Sequence, residues 1–250
     1  MKQHITVEVC CGSVNDCMLA QKMGADRIEL NHSLEQGGLT PTLGTFLEAR
    51  KRVSLPICVM IRPRGAGFCY TEEQFQGMLT DARLFIENGA DGLVFGFLNE
   101  DGSINVERTK QMVAIAGDKE AVFHKAFDST PDIEESLKTL IDCGITRVLT
   151  SGGSPYPEII EGSRELGRLN ALYGDKIQLL PGGGVRAHNA KEVLALAQTG
   201  QIHLTAKNTF TDLSTSHRFP VKDVSSLEYT AVGADNLKNI MDQIRDYENQ

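Results

Sequence analysis

Short apolar runs alternate with longer amphipathic segments along most of the chain. Strand-like runs recur at Thr6–Cys10, Arg27–Asn31, Ile57–Arg62, Gly92–Gly96, Ala121–Ala126, Arg147–Ser151, Lys176–Pro181 and Gln201–Ala206. Between them apolar residues return at helical spacing, as in Phe75, Leu79, Ala82 and Ile86, or Ile133, Leu137, Leu140 and Ile141. Three helix-to-strand joints share one signature, with Gly24, Gly89 and Gly144 placed where a left-handed residue ends a helix ahead of a buried strand.

Eight strand-then-helix units predict parallel strands joined by right-handed crossovers, and that number favours closure into a single (β/α)8 TIM barrel spanning residues 1–250. The alternative is an open doubly wound sheet. Against it, the first strand-to-helix turn, Cys11-Gly12-Ser13-Val14-Asn15, carries no Gly-x-Gly-x-x-Gly and so marks no dinucleotide site. A polar stretch at about 207–233 breaks the pattern and reads as a rim loop, followed by a closing helix at about 234–247.

In such a barrel the chemistry sits at the carboxyl ends of the strands. Alternation along each strand then separates positions facing the barrel axis from positions facing the helices. It turns Glu8, Glu29, Arg62, His124 and His203 toward one shared polar layer, with Cys10, Asn31, Arg64, Asp128 and Thr205 nearer the mouth. Buried charges must pair with one another or with a ligand. One outcome is an ion-pair plug with Arg62 clamped by Glu8 and Glu29; the other is a site. In the site reading His124, oriented by an inward Asp128, or Glu29 moves a proton, with Glu8 as a further acid/base candidate.

Two glycine-rich turns follow later strands: Ser151-Gly152-Gly153 after the sixth and Gly182-Gly183-Gly184 after the seventh. Exposed backbone N–H groups there attract a phosphate or carboxylate. Ser151, Gly152, Gly183 and Gly184, with Arg62, Arg64 and His203, are therefore the candidate ligand-binding residues; the plainer reading of the glycines is tight turning alone.

Composition narrows the partners. Hydrophobic residues make up 41% of the 250 and charged residues 23%, as in an ordinary protein with a sizeable core. The net charge of −8 and the lack of a basic cluster argue against nucleic acid or an anionic membrane. No apolar run reaches the roughly 20 residues a bilayer requires, and the start lacks a secretory apolar stretch, so the expectation is a cytoplasmic protein. The six cysteines lack zinc-site spacing and read as free thiols. Cys10 is the candidate metal ligand, for a soft ion such as Cu(I), with Cys69 reaching over the mouth as a second thiolate; the alternative is a small buried residue.

Several motifs run in one order between Thr6 and Ala206: Glu8-Val9-Cys10, Gly24-Ala25-Asp26-Arg27-Ile28-Glu29-Leu30, Gly37-Gly38-Leu39-Thr40-Pro41, Met60-Ile61-Arg62-Pro63-Arg64-Gly65, Phe123-His124-Lys125-Ala126-Phe127-Asp128, Arg147-Val148-Leu149-Thr150-Ser151-Gly152 and Pro181-Gly182-Gly183-Gly184. Together they resemble the CutC family. The resemblance implies a (β/α)8 barrel, a cytoplasmic homodimer or higher homo-oligomer, and a copper homeostasis protein with copper ion bound through cysteines. Three departures stand out. Asn31 replaces a second inward Cys, and an amide oxygen is a poor ligand for Cu(I). Ala66-Gly67-Phe68 replaces Gly-Asp-Phe, and Lys125 stands where Arg is common, a change of little consequence if it faces outward. Two functions follow: copper handling through Cys10, or an enzyme acting by acid/base chemistry on a small anionic substrate, phosphorylated or not.

Overall fold

The computed structural model describes residues 4–217 and 223–249. Eight strands form one parallel sheet: β1 (Thr6–Cys11), β2 (Arg27–Leu30), β3 (Ile57–Met60), β4 (Gly92–Phe95), β5 (Glu120–Phe123), β6 (Arg147–Thr150), β7 (Gln178–Pro181) and β8 (Gln201–Leu204). Helices α1 (Val14–Met23), α2 (Leu43–Arg52), α3 (Glu72–Glu87), α4 (Val106–Ala116), α5 (Ile133–Cys143), α6 (Ile159–Tyr173) and α7 (Ala190–Ala197) alternate with them. The strand order is β7-β6-β5-β4-β3-β2-β1-β8, so β1 pairs with both β2 and β8. Among the described residues no ladder joins β7 to β8. There Gln201 reaches across, its amide donating to the Leu179 carbonyl at 3.2 Å, and the ring is nearly closed.

The expected runs overshoot most strands by one to three residues. Asn31, Arg62, His124, Ser151 and Thr205 lie past the last ladder residue of their strands, because each chain segment bends there into a rim loop. His124 shows the cause: it caps a 3-10 turn at Lys125–Ser129, accepting from the Ala126 N–H. The three joint glycines are left-handed as expected, with φ of 86° at Gly24, 91° at Gly89 and 83° at Gly144.

The stretch expected as a rim loop contains an antiparallel hairpin, β9 (Lys207–Thr211) and β10 (Glu228–Val232), so that expectation is corrected. Its polar sequence reflects exposure, since every residue of β9 faces solvent. The cross-strand pair Phe210 and Tyr229 stacks at 5.7 Å and supplies the side-chain contact that supports the hairpin. Asp16 in α1 fastens the hairpin to the barrel by accepting from the Val232 N–H at 3.0 Å and the Gly12 N–H at 2.9 Å. Residues 218–222 of the expected loop lie outside the described residues. The closing helix α8 runs Ala234–Glu248.

Alternation builds two layers. Val7, Val9, Ile28 and Leu30 turn outward into the large core shared with the helices. Inside the ring the apolar cluster is small, namely Cys58, Met60, Val94 and Val122 on β3, β4 and β5. Barrel interiors are usually filled by branched aliphatic residues. Here the opposite side of the interior is charged.

Candidate functional site

The lower interior is an ion-pair plug. Glu8 stands in register with Arg27 on β2 and His203 on β8. Its carboxylate accepts from Arg27 Nε and pairs with His203 Nδ1 at 2.8 Å. Arg147 from β6 adds its charge at 3.9 Å and donates to Glu120. Burial alone would raise the Glu8 carboxyl, but His203, Arg27 and Arg147 outweigh it and hold the group well below the usual carboxylate range. Burial would lower His203, yet the Glu29 and Glu8 carboxyls reverse the sign and hold its imidazole above the ordinary value. The expected clamp of Glu8 and Glu29 around Arg62 is not what forms; Arg27 and Arg147 take that place. Arg27 occupies an inward-parity position two residues before Glu29, so the alternation that found Glu29 extends to it, whereas the sequence reading assigns no parity to the run that holds Arg147.

Above the plug lies a cavity of about 170 Å³, below the roughly 300–1,000 Å³ of common small-molecule sites. Its polar wall comes from Cys10, Glu29, Arg62, His124, Lys125, His203 and Thr205, with Gly37 and Gly183 as backbone surfaces. Leu34, Met60, Phe68 and Leu149 supply the apolar wall. Three of these side chains each present a buried polar atom without a partner: Glu29 Oε1, Arg62 Nε and His124 Nε2.

Each of the three is otherwise fixed. Glu29 Oε2 accepts from the Asn31 amide at 2.7 Å, and Asn31 also donates to Cys10 Sγ at 3.4 Å. Burial raises the Glu29 carboxyl, opposed by His203 and reinforced by the Glu8 charge. Arg62 ties two loops together, donating to the carbonyls of Gln36 and Gly38 after β2 and of Ala66 after β3. Phe68 packs between the Arg62 guanidinium, 5.1 Å from the ring centre, and the His124 ring at 4.9 Å. His124 Nδ1 accepts from Ala126 N–H at 3.2 Å. Burial, with Arg62 and Lys125 nearby, lowers this imidazole to about 3, so the ring is neutral and its proton sits on Nε2. His124 therefore offers the cavity a hydrogen-bond donor rather than a base.

Asp128 does not meet His124. Its carboxylate fills the turn after β6, accepting from Ser151 N–H at 3.0 Å, Gly153 N–H at 3.0 Å and Thr150 Oγ1 at 2.5 Å. Gly152 N–H donates to Thr150 Oγ1 at 2.8 Å. Ser151 and Gly152 are thus engaged inside the protein. A Cβ on Gly152 would stand 2.2 Å from the Gly162 carbonyl oxygen in α6, which gives that glycine a packing role. Arg64 also stays away from this cavity, donating to the carbonyls of Gly65, Gly67 and Cys69 and lying over Tyr70. Lys125 does the reverse of facing outward: its ammonium lines the cavity, bound to Asp128 at 2.5 Å and Ser151 Oγ at 2.6 Å. Alternation could not have placed it, because β5 ends at Phe123.

Cys10 Sγ and ligand atoms of Glu29 and His203 lie within 4.8 Å of one another, a group that could hold a metal ion. It contributes one thiol, and burial beside Glu29 pushes that thiol well above its ordinary value. Cys11 donates to the Val9 carbonyl, Cys58 lies beside Glu120, and Cys69 is exposed and absent from the cavity wall. The second thiolate that Cu(I) favours is not assembled here. One thiol, one carboxylate and one imidazole fit a Zn(II)-type donor set better than a Cu(I) set.

The fold and the cavity define a (β/α)8 barrel with a small charged site at the carboxyl ends of its strands. The family model for the CutC family matches residues 5–208, and the chain belongs to that family. A "family protein CutC" of Treponema denticola is 46% identical over 204 residues, 82% of each chain. A human protein named copper homeostasis protein cutC homolog is 39% identical over 203 residues, covering 81% of this chain and 74% of its own. A crystal structure from Streptococcus agalactiae that carries the CutC copper-homeostasis name superposes with a TM-score of 0.75 at 32% identity, covering 80% of this chain and 97% of that one. Phosphoribosylanthranilate isomerase from Thermotoga maritima, at 12% identity and a TM-score of 0.57, shares the fold alone.

Proposed function

We propose that the protein is an enzyme that takes a small anionic molecule into the barrel mouth and moves a proton on it. One observation carries the reading: Glu29 Oε1, Arg62 Nε and His124 Nε2 are buried and unpartnered, and all three residues line one cavity. A buried polar atom left without a partner costs about 1–3 kcal/mol, so three together favour a ligand that satisfies them. Arg62 and Lys125 attract the negative charge. His124 Nε2–H donates to a carbonyl or developing oxyanion, as a neutral imidazole does when its protonated form is suppressed. Glu29, its carboxyl raised by burial, exchanges the proton. Glu8 keeps His203 in place beneath them and does not reach the cavity wall.

Incubating the protein in D2O with small hydroxy- and keto-acids and their phosphorylated counterparts, followed by mass spectrometry, tests the reading. Deuterium uptake at carbon that disappears in Glu29→Gln and drops sharply in His124→Ala is expected; a panel without exchange sinks it.

A second reading, copper handling, is favoured by the Cys10, Glu29 and His203 group together with the names of the relatives. Binding there displaces protons, so it strengthens as pH rises. Cu(I) titration of the wild type and of Cys10→Ala separates the two readings, since identical curves remove Cys10 as a ligand. Cytoplasmic residence belongs to both readings, supported by six free cysteines of which five are buried. So does homo-oligomeric assembly, for which the exposed Phe210 and Tyr229 pair offers an apolar surface.

A further inference from the structure

Two glycine turns lie side by side at the barrel mouth, and they differ in what fills them. The turn after β6 is closed by an internal anion, the Asp128 carboxylate, seated on the N–H groups of Ser151 and Gly153. The turn after β7 has the same backbone character, with φ of 89° at Gly183 and 120° at Gly184. Among the described residues no acceptor meets the N–H group of either. Gly183 lines the cavity, and the Lys125 ammonium lies over it so closely that a Cβ there would stand 2.8 Å from Nζ. Two of the three Lys125 donors go to Asp128 and Ser151, which leaves one for an incoming group. In the same cavity Glu29 Oε1 and His124 Nε2 lack partners, and both residues are more than nine-tenths buried.

We infer that the Lys125 and Gly183 corner is a phosphoryl-binding subsite, and that the ligand is a short hydroxy- or keto-compound carrying one terminal phosphate. The inference rests on the enzyme reading above and gives its substrate a class. A phosphoryl group offers several acceptor oxygens, enough to meet the ammonium and successive backbone N–H groups together. A planar carboxylate already occupies the neighbouring turn with both oxygens engaged. Beside Glu29 and His124 a hydroxyl or carbonyl fits, because the Glu29 carboxyl disfavours a second negative charge next to it and His124 Nε2 donates to an oxygen. The volume of about 170 Å³ restricts the carbon chain to a few atoms.

Isothermal titration with inorganic phosphate, glycerol 3-phosphate and glycerate tests the subsite on the full chain. Both phosphates are expected to bind and glycerate to bind at least about tenfold more weakly, the size of one charge-assisted hydrogen bond. Lys125→Met and Gly183→Ala are expected to weaken both phosphates by about tenfold or more, while Glu29→Gln leaves inorganic phosphate within about twofold. Lys125→Gln, which retains a hydrogen-bond donor toward Asp128, repeats the measurement should Lys125→Met unfold. Glycerate binding as tightly as glycerol 3-phosphate, or phosphate binding indifferent to Lys125, overturns the inference. Deuterium exchange dependent on Glu29 would then still stand, so the two readings fail separately.

Discussion

The Ala126 N–H donates to Nδ1 of His124 across 3.2 Å, and that bond fixes which edge of the imidazole carries the proton. Because the donor is backbone in a 3-10 turn, reversing the ring's role forfeits that bond.

His124 is therefore expected to stay neutral through the physiological range. Its imidazole titrates near 3, against 6.5 in the unfolded chain. Between those values the unfolded state binds the extra proton, so this residue makes the fold less stable as pH falls from 6.5 toward 3. Histidine NMR titration checks it: the His124 resonances should not move between pH 5 and 8. For the proposed reaction, His124→Ala should lower the rate by roughly 10²–10³, the loss typical of one oxyanion donor.

Glu8→Gln should be among the most damaging single changes. It removes the counter-charge from Arg27, Arg147 and His203 in a buried setting, a loss of about 3–5 kcal/mol. The sign of the pH dependence follows from two opposite shifts. The lowered Glu8 carboxyl contributes stability above its ordinary 4.5, lost as pH falls through the folded value. The raised His203 imidazole contributes below 6.5, lost as pH rises through its folded value. Urea denaturation of both proteins across pH should show their widest gap between 4.5 and 6.5.

Gly152→Ala combines a φ of 68° with a Cβ 2.2 Å from the Gly162 carbonyl oxygen. Backbone of α6 must retreat to admit it. A loss of about 2 kcal/mol or more is expected, read as a lower urea midpoint with an unchanged slope.

Thiol labelling should divide the cysteines. Cys69 is exposed and the other five are buried. Iodoacetamide at neutral pH is expected to modify Cys69 first, with Cys10 among the slow sites because burial and Glu29 keep its thiol protonated. Mass spectrometry of the labelled peptides over time gives the order.

Alternation carried the sequence reading along the strands and just past them to Arg62, His124 and Thr205, and failed in the turns beyond. Glu8, Glu29 and His203 sit within ladders, and their convergence was legible for that reason. The same rule reaches Arg27, two residues before Glu29, whereas Arg147 lies on a run to which the sequence reading gave no parity. Arg64, Lys125 and Asp128 lie beyond the last ladder residue, where local turns aim the side chains. Asp128 consequently sits in the β6 turn, Arg64 braces its own loop, and Lys125 reaches the cavity. The hairpin was illegible for another reason: with β9 wholly exposed, it leaves no alternating trace of burial.

The buried Arg147 and its carboxylate neighbours give this barrel a charged floor. An occupant of the cavity therefore rests on an ion-paired polar base rather than on hydrocarbon.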